Sequence, residues 1–107
     1  TADPGLLEQV LLNLLMNSIQ ALDGRSGGQI KLSAHLEEKG KIAVRVEDNG
    51  PGIPKEIQEK IFIPFFTTRD TGSGIGLSLS RQILHLHHAM ISVYSQPDEQ
   101  TVFTIVF

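Results

Sequence analysis

Apolar and polar positions along this chain follow two periods in turn. From Pro4 to Leu22 the period is helical, with Asp3 as N-cap, Pro4 in the first turn and Asp23-Gly24 to end it. Between Leu6 and Leu22 the only formal charge is Glu8, so this helix is expected to be buried on nearly all sides. Period two follows. Ile30, Leu32, Ala34 and Leu36 alternate with Lys31, Ser33, His35 and Glu37; after a turn at Lys39-Gly40, Ile42, Val44 and Val46 alternate with Lys41, Ala43, Arg45 and Glu47. The pattern predicts a two-stranded hairpin with one buried face. Asp48 to Pro54 reads as a Gly/Pro loop, Lys55 to Phe62 as a short helix, Ile63 to Gly74 as irregular chain and Ile75 to His88 as a second long helix. Ile91 and Val93, then Phe103, Ile105 and Phe107, mark two closing strands around a polar turn from Gln96 to Gln100. Helix, two strands, two helices and two strands, mostly joined antiparallel, predict a two-layer α+β sandwich.

Composition narrows the function classes. The 107 residues make one domain's worth of chain, long enough to bury roughly 60–70 % of the unfolded surface around one core. With 9 Lys+Arg against 12 Asp+Glu the net charge is −3, which argues against a generic polyanion binder, and 40 % hydrophobic residues argue against disorder. Nucleic acid is not an expected partner. Cys is absent, which removes disulfides, thiolate metal sites and a Cys nucleophile. The longest apolar stretch, Val10 to Met16, is interrupted by Asn13 and falls far short of the about 20 apolar residues that span a bilayer, so no membrane contact is expected. The chain opens Thr1-Ala2-Asp3 with neither an initiator Met nor a leader pattern, and is expected to be a piece of something longer or a processed product.

Three segments carry candidate chemistry. In the first helix Gln9, Asn13, Asn17 and Gln20 form one narrow stripe of amides where a solvent face would carry Lys and Glu. The stripe is either a weakly exposed, internally bonded surface, or a pair of carbonyl oxygens, from Asn13 and Asn17, aimed at a hard cation such as Mg²⁺. In the second strand the buried register Ile42, Val44, Val46 continues onto Asp48, bringing a carboxylate to the core face, where it needs hydrogen-bond donors from backbone or ligand. Asp48-Asn49-Gly50 is also an ordinary turn former, although Pro51-Gly52-Ile53-Pro54 after it favours a fixed loop over a tight hairpin. Third, Gly72-Ser73-Gly74-Ile75-Gly76 runs into a helix, where backbone N–H groups and a positive helix end can approach phosphate; a flexible linker reads the same way.

Between the last two, Ile61 to Arg69 holds three of the five Phe and must dock onto something, as a core plug or as the anchor of a lid from Thr67 to Gly74. The histidines suggest little chemistry. His35 lies on a polar strand face, and His85, His87 and His88 crowd a helix end where imidazole suits the dipole, without the carboxylate or third ligand a metal site needs.

In order, Asn13-Leu14-Leu15-Met16-Asn17, Asp48-Asn49-Gly50-Pro51-Gly52-Ile53-Pro54, Phe62-Ile63-Pro64-Phe65-Phe66-Thr67-Thr68 and Gly72-Ser73-Gly74-Ile75-Gly76-Leu77 resemble the asparagine, first glycine, phenylalanine and second glycine boxes of bacterial sensor histidine kinases. The resemblance covers essentially the whole chain and is to their ATP-binding catalytic domain, in the superfamily shared with gyrase, heat-shock chaperone and mismatch-repair ATPases (GHKL). It implies the Bergerat fold, a mixed, mostly antiparallel sheet covered on one face by three helices, over residues 1–107 as a single domain. It implies ATP and Mg²⁺ as cofactors. Asp48 is implied to receive the adenine amino group, Asn13 and Asn17 to bind metal and phosphate, and Gly72, Ser73, Gly74, Ile75, Gly76 and Leu77 to wrap the phosphates. Gly50, Gly52, Ile53, Phe66, Thr67, Thr68 and Arg69 complete the implied ATP site, under a short lid like that of nitrogen-regulator-type kinases.

The resemblance further implies a cytoplasmic domain that passes the terminal phosphoryl group of ATP to a histidine on a dimerisation domain upstream of Thr1, and through it to a response regulator. In related ATPases a glutamate stands at the place of Asn13 as base for water. An amide cannot take that proton, so slow hydrolysis is expected and no residue is assigned as a catalytic base. A stand-alone ATP hydrolase and a nucleotide-free interaction module are the competing readings. The chain departs from the family at Gln20, where Lys or Arg is common, leaving phosphate charge to Arg69 with Arg81 as a helper. It departs again at His88-Ala89 and at Asp98-Glu99-Gln100, where glycines are usual and positive φ is expected to strain the backbone.

Overall fold

The helical and alternating periods resolve into seven elements in a computed structural model that describes residues 4–63 and 76–107. Helix α1 spans Pro4–Ala21, strands β1 and β2 span Ile30–Leu36 and Ile42–Asp48, short helix α2 spans Lys55–Gln58, helix α3 spans Gly76–Leu86, and strands β3 and β4 span Met90–Gln96 and Gln100–Val106. The strands form one sheet in the order β1-β2-β4-β3, and every pairing among them is antiparallel. Asp3, the expected N-cap, lies outside the described residues.

Register decides which side chains reach the helices. Val46 stands opposite Leu32 and Phe103, and Ile105 opposite Val44 and Ile91, so these residues share one face. Against it pack Val10 and Leu14 of α1 with Ile83 and Leu84 of α3, all buried, forming the core with Val46, Phe103 and Ile105. Phe62 closes the α2 end, its ring edge-on to Phe103 at 6.5 Å and 86°. The expected two-layer sandwich is what forms.

Three expectations change. Helix α1 is not buried all round: Leu12, Met16 and Ile19 are each more than half exposed, and only the stripe Val10, Leu14, Ser18 is buried. A two-layer fold covers a helix on one side only, and α1 lies over β2 and beside α3. For the same reason the apolar face of β1 is open. Leu32 is 55 % and Leu36 75 % exposed, because β1 is an edge strand that α1 covers less than it covers β2. The predicted helix from Lys55 to Phe62 stops at Gln58, where Lys60 N–H donates to Ile57 O and Ile63 N–H to Lys60 O, bonds three residues back that tighten the chain into turns.

The usual glycine positions are strained as expected: His88 has φ 60° and Asp98 φ 67°. His88 lies just past the end of α3. There Ala89 N–H caps Leu84 O, and the His87 ring donates from Nδ1 to Ile83 O at 2.8 Å, so of the three histidines His87 serves the helix end through its side chain. At the other tight point Gly52 has φ +73°, and a Cβ there would lie 2.5 Å from the carbonyl oxygen of Gln96. The loop after β2 therefore lies against the β3–β4 turn with room for glycine alone, and Asp98 N–H to Pro51 O at 2.6 Å ties the two together.

Two stability outcomes follow from these positions. Gly52→Ala places a methyl against backbone in a conformation L-residues resist, at a cost of about 2–5 kcal/mol, so its melting temperature falls by roughly 10 °C or more. His88→Gly relieves a left-handed residue at some cost in unfolded-chain entropy, and raises the melting temperature by roughly 2–8 °C. Calorimetric melting of the two variants checks both; an unchanged midpoint for Gly52→Ala would contradict the packing described.

Candidate functional site

The amide stripe of α1 divides when the helix docks. Gln9 and Gln20 are exposed, whereas Asn13 and Asn17 are half-buried on the flank that faces α3. Asn13 Nδ2 donates to Ser80 Oγ of α3 at 3.2 Å, joining the two helices across a separation of 67 residues. Asn17 Nδ2 donates to the Asn13 carbonyl at 2.8 Å, one helical turn back. Both amide nitrogens are thus bound to protein acceptors. Each of these amides also carries a carbonyl oxygen, the donor type that Mg²⁺ prefers. Among the described residues no three His, Asp or Glu side chains cluster as a metal cage. A cation here fits the pattern of one or two protein oxygens with the remaining ligands from phosphate and water.

Asp48 ends β2 on the helix-facing side, level with Thr101 of β4, and is 5 % exposed. Its Oδ1 accepts Gly50 N–H at 3.0 Å. A Cβ on Gly50 would sit 2.9 Å from that oxygen and 3.3 Å from the carbonyl of Ala21, so only glycine fits between the carboxylate and the last turn of α1. One backbone donor leaves most of a carboxylate's acceptor capacity unused.

The loop carrying Gly50, Gly52 and Ile53 is held at both ends. Asn49 N–H donates to Gln29 O, Gln29 N–H donates to Asn49 Oδ1 at 2.7 Å, and Asn49 Nδ2 donates to Gly27 O. Farther on, Ile53 N–H donates to Ser95 Oγ at 2.7 Å and Gln58 Nε2 donates to Ile53 O at 2.8 Å. This is a fixed loop, as the Pro-Gly pattern after Asp48 indicated, and its Asx bonds use the turn chemistry of Asn49 to fasten it. Ile53 and Leu77 pack against the core, and Gly76 opens α3. Arg81, suggested as a phosphate helper, places its guanidinium 5.7 Å from the centre of the Phe62 ring, in the groove between α2 and α3. Phe66, Thr67, Thr68, Arg69, Gly72, Ser73, Gly74 and Ile75 lie outside the described residues.

Four buried polar residues escaped the reading of the sequence: Ser18, Ser80, Ser95 and Thr101. The signal was available. Ser18 continues the buried stripe of Val10 and Leu14, Ser80 sits between Leu77 and Leu84, and Ser95 and Thr101 extend the core registers of Val93 and Phe103. A hydroxyl in an apolar register demands a partner. Ser95 finds three, donating to Gln100 O at 2.8 Å, accepting from Ile53 N–H and lying 3.2 Å from Thr101 Oγ1.

The chain that carries this arrangement is similar to known proteins. Residues 2–107 match the model of the family described as histidine kinase-, DNA gyrase B-, and HSP90-like ATPase. The chain is 44 % identical over 105 residues to the signal transduction histidine-protein kinase AtoS of Escherichia coli K12, covering 98 % of this chain and 17 % of that protein. It is 41 % identical to the sensory histidine kinase/phosphatase NtrB of Salmonella typhimurium, over 89 % of this chain and 30 % of the relative. It thus spans less than a third of either relative. Among solved structures, the catalytic domain of histidine kinase ThkA superposes with a TM-score of 0.84 at 37 % identity, over 99 % of this chain and 68 % of that one. Full-length ShkA in complex with AMPPNP superposes with a TM-score of 0.88 at 27 % identity, over 98 % of this chain and 22 % of that one. No helix among the described residues is long and apolar enough to cross a membrane. By the match over almost its full length and by the fold that carries it, the chain belongs to the histidine kinase-, DNA gyrase B- and HSP90-like ATPase family.

Proposed function

We propose that this chain is the ATP-binding catalytic domain of a sensor histidine kinase, holding Mg-ATP between α1, the loop after β2 and the start of α3. The observation that carries the proposal is the buried Asp48 carboxylate, which takes a single backbone donor from Gly50 and lies against the last turn of α1, the helix that bears Asn13 and Asn17. Asp48 accepts the amino group of adenine, an acceptor-only partner for a donor. Asn17 and Asn13 lie about one and two turns before Ala21 on α1, and in this reading their side-chain oxygens serve the phosphate end, where bound Mg²⁺ would supply charge neutralisation. Arg69 and the second glycine box, Gly72 to Gly76, belong to the same site in this reading.

The reaction follows from what the residues can and cannot do. A histidine nitrogen from a separate dimerisation domain attacks the γ-phosphorus, a new N–P bond forms, the bond to the β,γ-bridging oxygen breaks, and ADP leaves. This chain contributes position and charge, the main sources of rate in phosphoryl transfer. Asn13 carries no proton acceptor of useful strength, so it does not activate water, and the nucleotide is kept for the histidine. In this reading the dimerisation domain precedes Thr1 in a longer parent, the phosphoryl group passes on to a response regulator, and the domain works in the cytoplasm.

Titration calorimetry of this chain with AMPPNP, with and without Mg²⁺, tests the proposal. Saturable binding strengthened by Mg²⁺ is expected, with Asp48→Asn weakening it about tenfold or more, since the amide can turn a donor toward the adenine amino group. Absence of binding by the folded chain would favour the interaction module. Sustained multiple-turnover hydrolysis by this chain alone would favour the stand-alone hydrolase.

A further inference from the structure

An asparagine side chain can be attacked by its own main chain. The nitrogen of the following residue gives its proton to solvent base and attacks Cγ; an N–Cγ bond forms, the Cγ–Nδ2 bond breaks, and ammonia departs to leave a succinimide. Water then opens the ring at Cγ, giving aspartate, or at the main-chain carbonyl, giving isoaspartate. The reaction is fastest before glycine, where no side chain shields the nitrogen or restricts the backbone. The chain has three asparagines, and only Asn49 precedes a glycine. Asn13 and Asn17 precede Leu14 and Ser18 inside α1, where helical hydrogen bonds hold the backbone.

Asn49 is exposed, so base and water reach it. Yet the groups that the reaction needs are engaged in the folded chain. The nucleophile, the N–H of buried Gly50, donates to Asp48 Oδ1 at 3.0 Å, and the negative carboxylate opposes removal of its proton. The leaving group, Asn49 Nδ2, donates to Gly27 O at 3.1 Å, while Oδ1 of the same amide accepts Gln29 N–H at 2.7 Å. Turning the amide breaks bonds at both its ends. The main chain is held on the same neighbour, through Asn49 N–H to Gln29 O at 3.3 Å.

We propose that Asn49-Gly50 is a modification site, a latent succinimide junction that Asp48, Gly27 and Gln29 keep unreactive in the folded chain and that local opening of this turn exposes to irreversible deamidation. The site is independent of nucleotide binding. Its products do not rebuild the turn: aspartate in place of Asn49 sets an acceptor against the Gly27 carbonyl, and isoaspartate adds a methylene to the main chain beside Gly50, where there is no room even for a Cβ.

Incubation of the chain at mildly alkaline pH, in buffer and in guanidinium chloride at the same pH and temperature, tests this by peptide mass spectrometry, with aspartyl and isoaspartyl forms separated by chromatography. Asn49 is expected to react about tenfold or more slowly in the folded chain, since several hydrogen bonds must open first. Gln29→Pro removes the N–H bonded to Oδ1, and Asp48→Ala removes the acceptor of Gly50 N–H. Each is expected to raise the folded-state rate at Asn49 about two- to tenfold, at a temperature where melting curves show the variant folded. Asn17, before a serine, reports global unfolding in the same samples, and its rate is expected to stay level. A folded wild-type rate at Asn49 within about threefold of the unfolded one, or the wild-type rate in both folded variants, would overturn the proposal. A rise shared by Asn17 would assign the protection to the fold as a whole and overturn the local lock.

Discussion

A carboxylate inside a small domain is the constraint around which this structure is arranged. Asp48 arrives at the core face because β2 alternates with period two, and there its charge is expensive to leave unmatched. The local response is partial: one backbone N–H from Gly50 within the turn, and no Lys or Arg paired with it among the described residues. A purely structural aspartate would be expected to collect several donors, or to be replaced by an apolar residue. What the fold has instead is a close approach of Gly50 to the carboxylate and to the last turn of α1, with no room for a Cβ.

The rest of the site is fastened around that carboxylate. Both ends of the loop after β2 are tied by side-chain bonds to neighbouring turns, at Gln29 and Gly27 on one side and Ser95 on the other. Gly52 lies so close to the β3–β4 turn that the loop cannot shift inward. On the opposite side α1 is bonded to α3 through Asn13 and Ser80, which joins the helix bearing the asparagines to the helix that opens at Gly76. Groups held this way lose little freedom when a ligand arrives, which is where binding and phosphoryl transfer gain most.

Much of this was legible in the sequence for identifiable reasons. The two hydrophobic periods gave the elements, because a helix and a strand repeat differently and each must turn one face inward. The same alternation placed Asp48 on the core face, and the helical spacing placed Asn13 and Asn17 together. Burial was harder to read. Leu12, Met16 and Ile19 are as apolar as Val10 and Leu14, and only the docking of one side of α1 onto the sheet and α3 separates exposed from buried. The shortness of α2 arose from competition between turn types after Gln58, which residue preferences do not record. Ser18, Ser80, Ser95 and Thr101 were overlooked because a serine or threonine looks innocuous until its register shows that it lies in the core.

The central claim is that Asp48 reads the 6-amino group of a purine, and the most direct measurement compares ADP with IDP, which differ there by an oxygen in place of the amino group. Calorimetric affinities for the wild-type chain should favour ADP by about tenfold or more, because the 6-oxo group sets acceptor against acceptor beside a buried carboxylate. Equal affinity for the two nucleotides would contradict the account, since the carboxylate would then be buried for some purpose other than recognising the base.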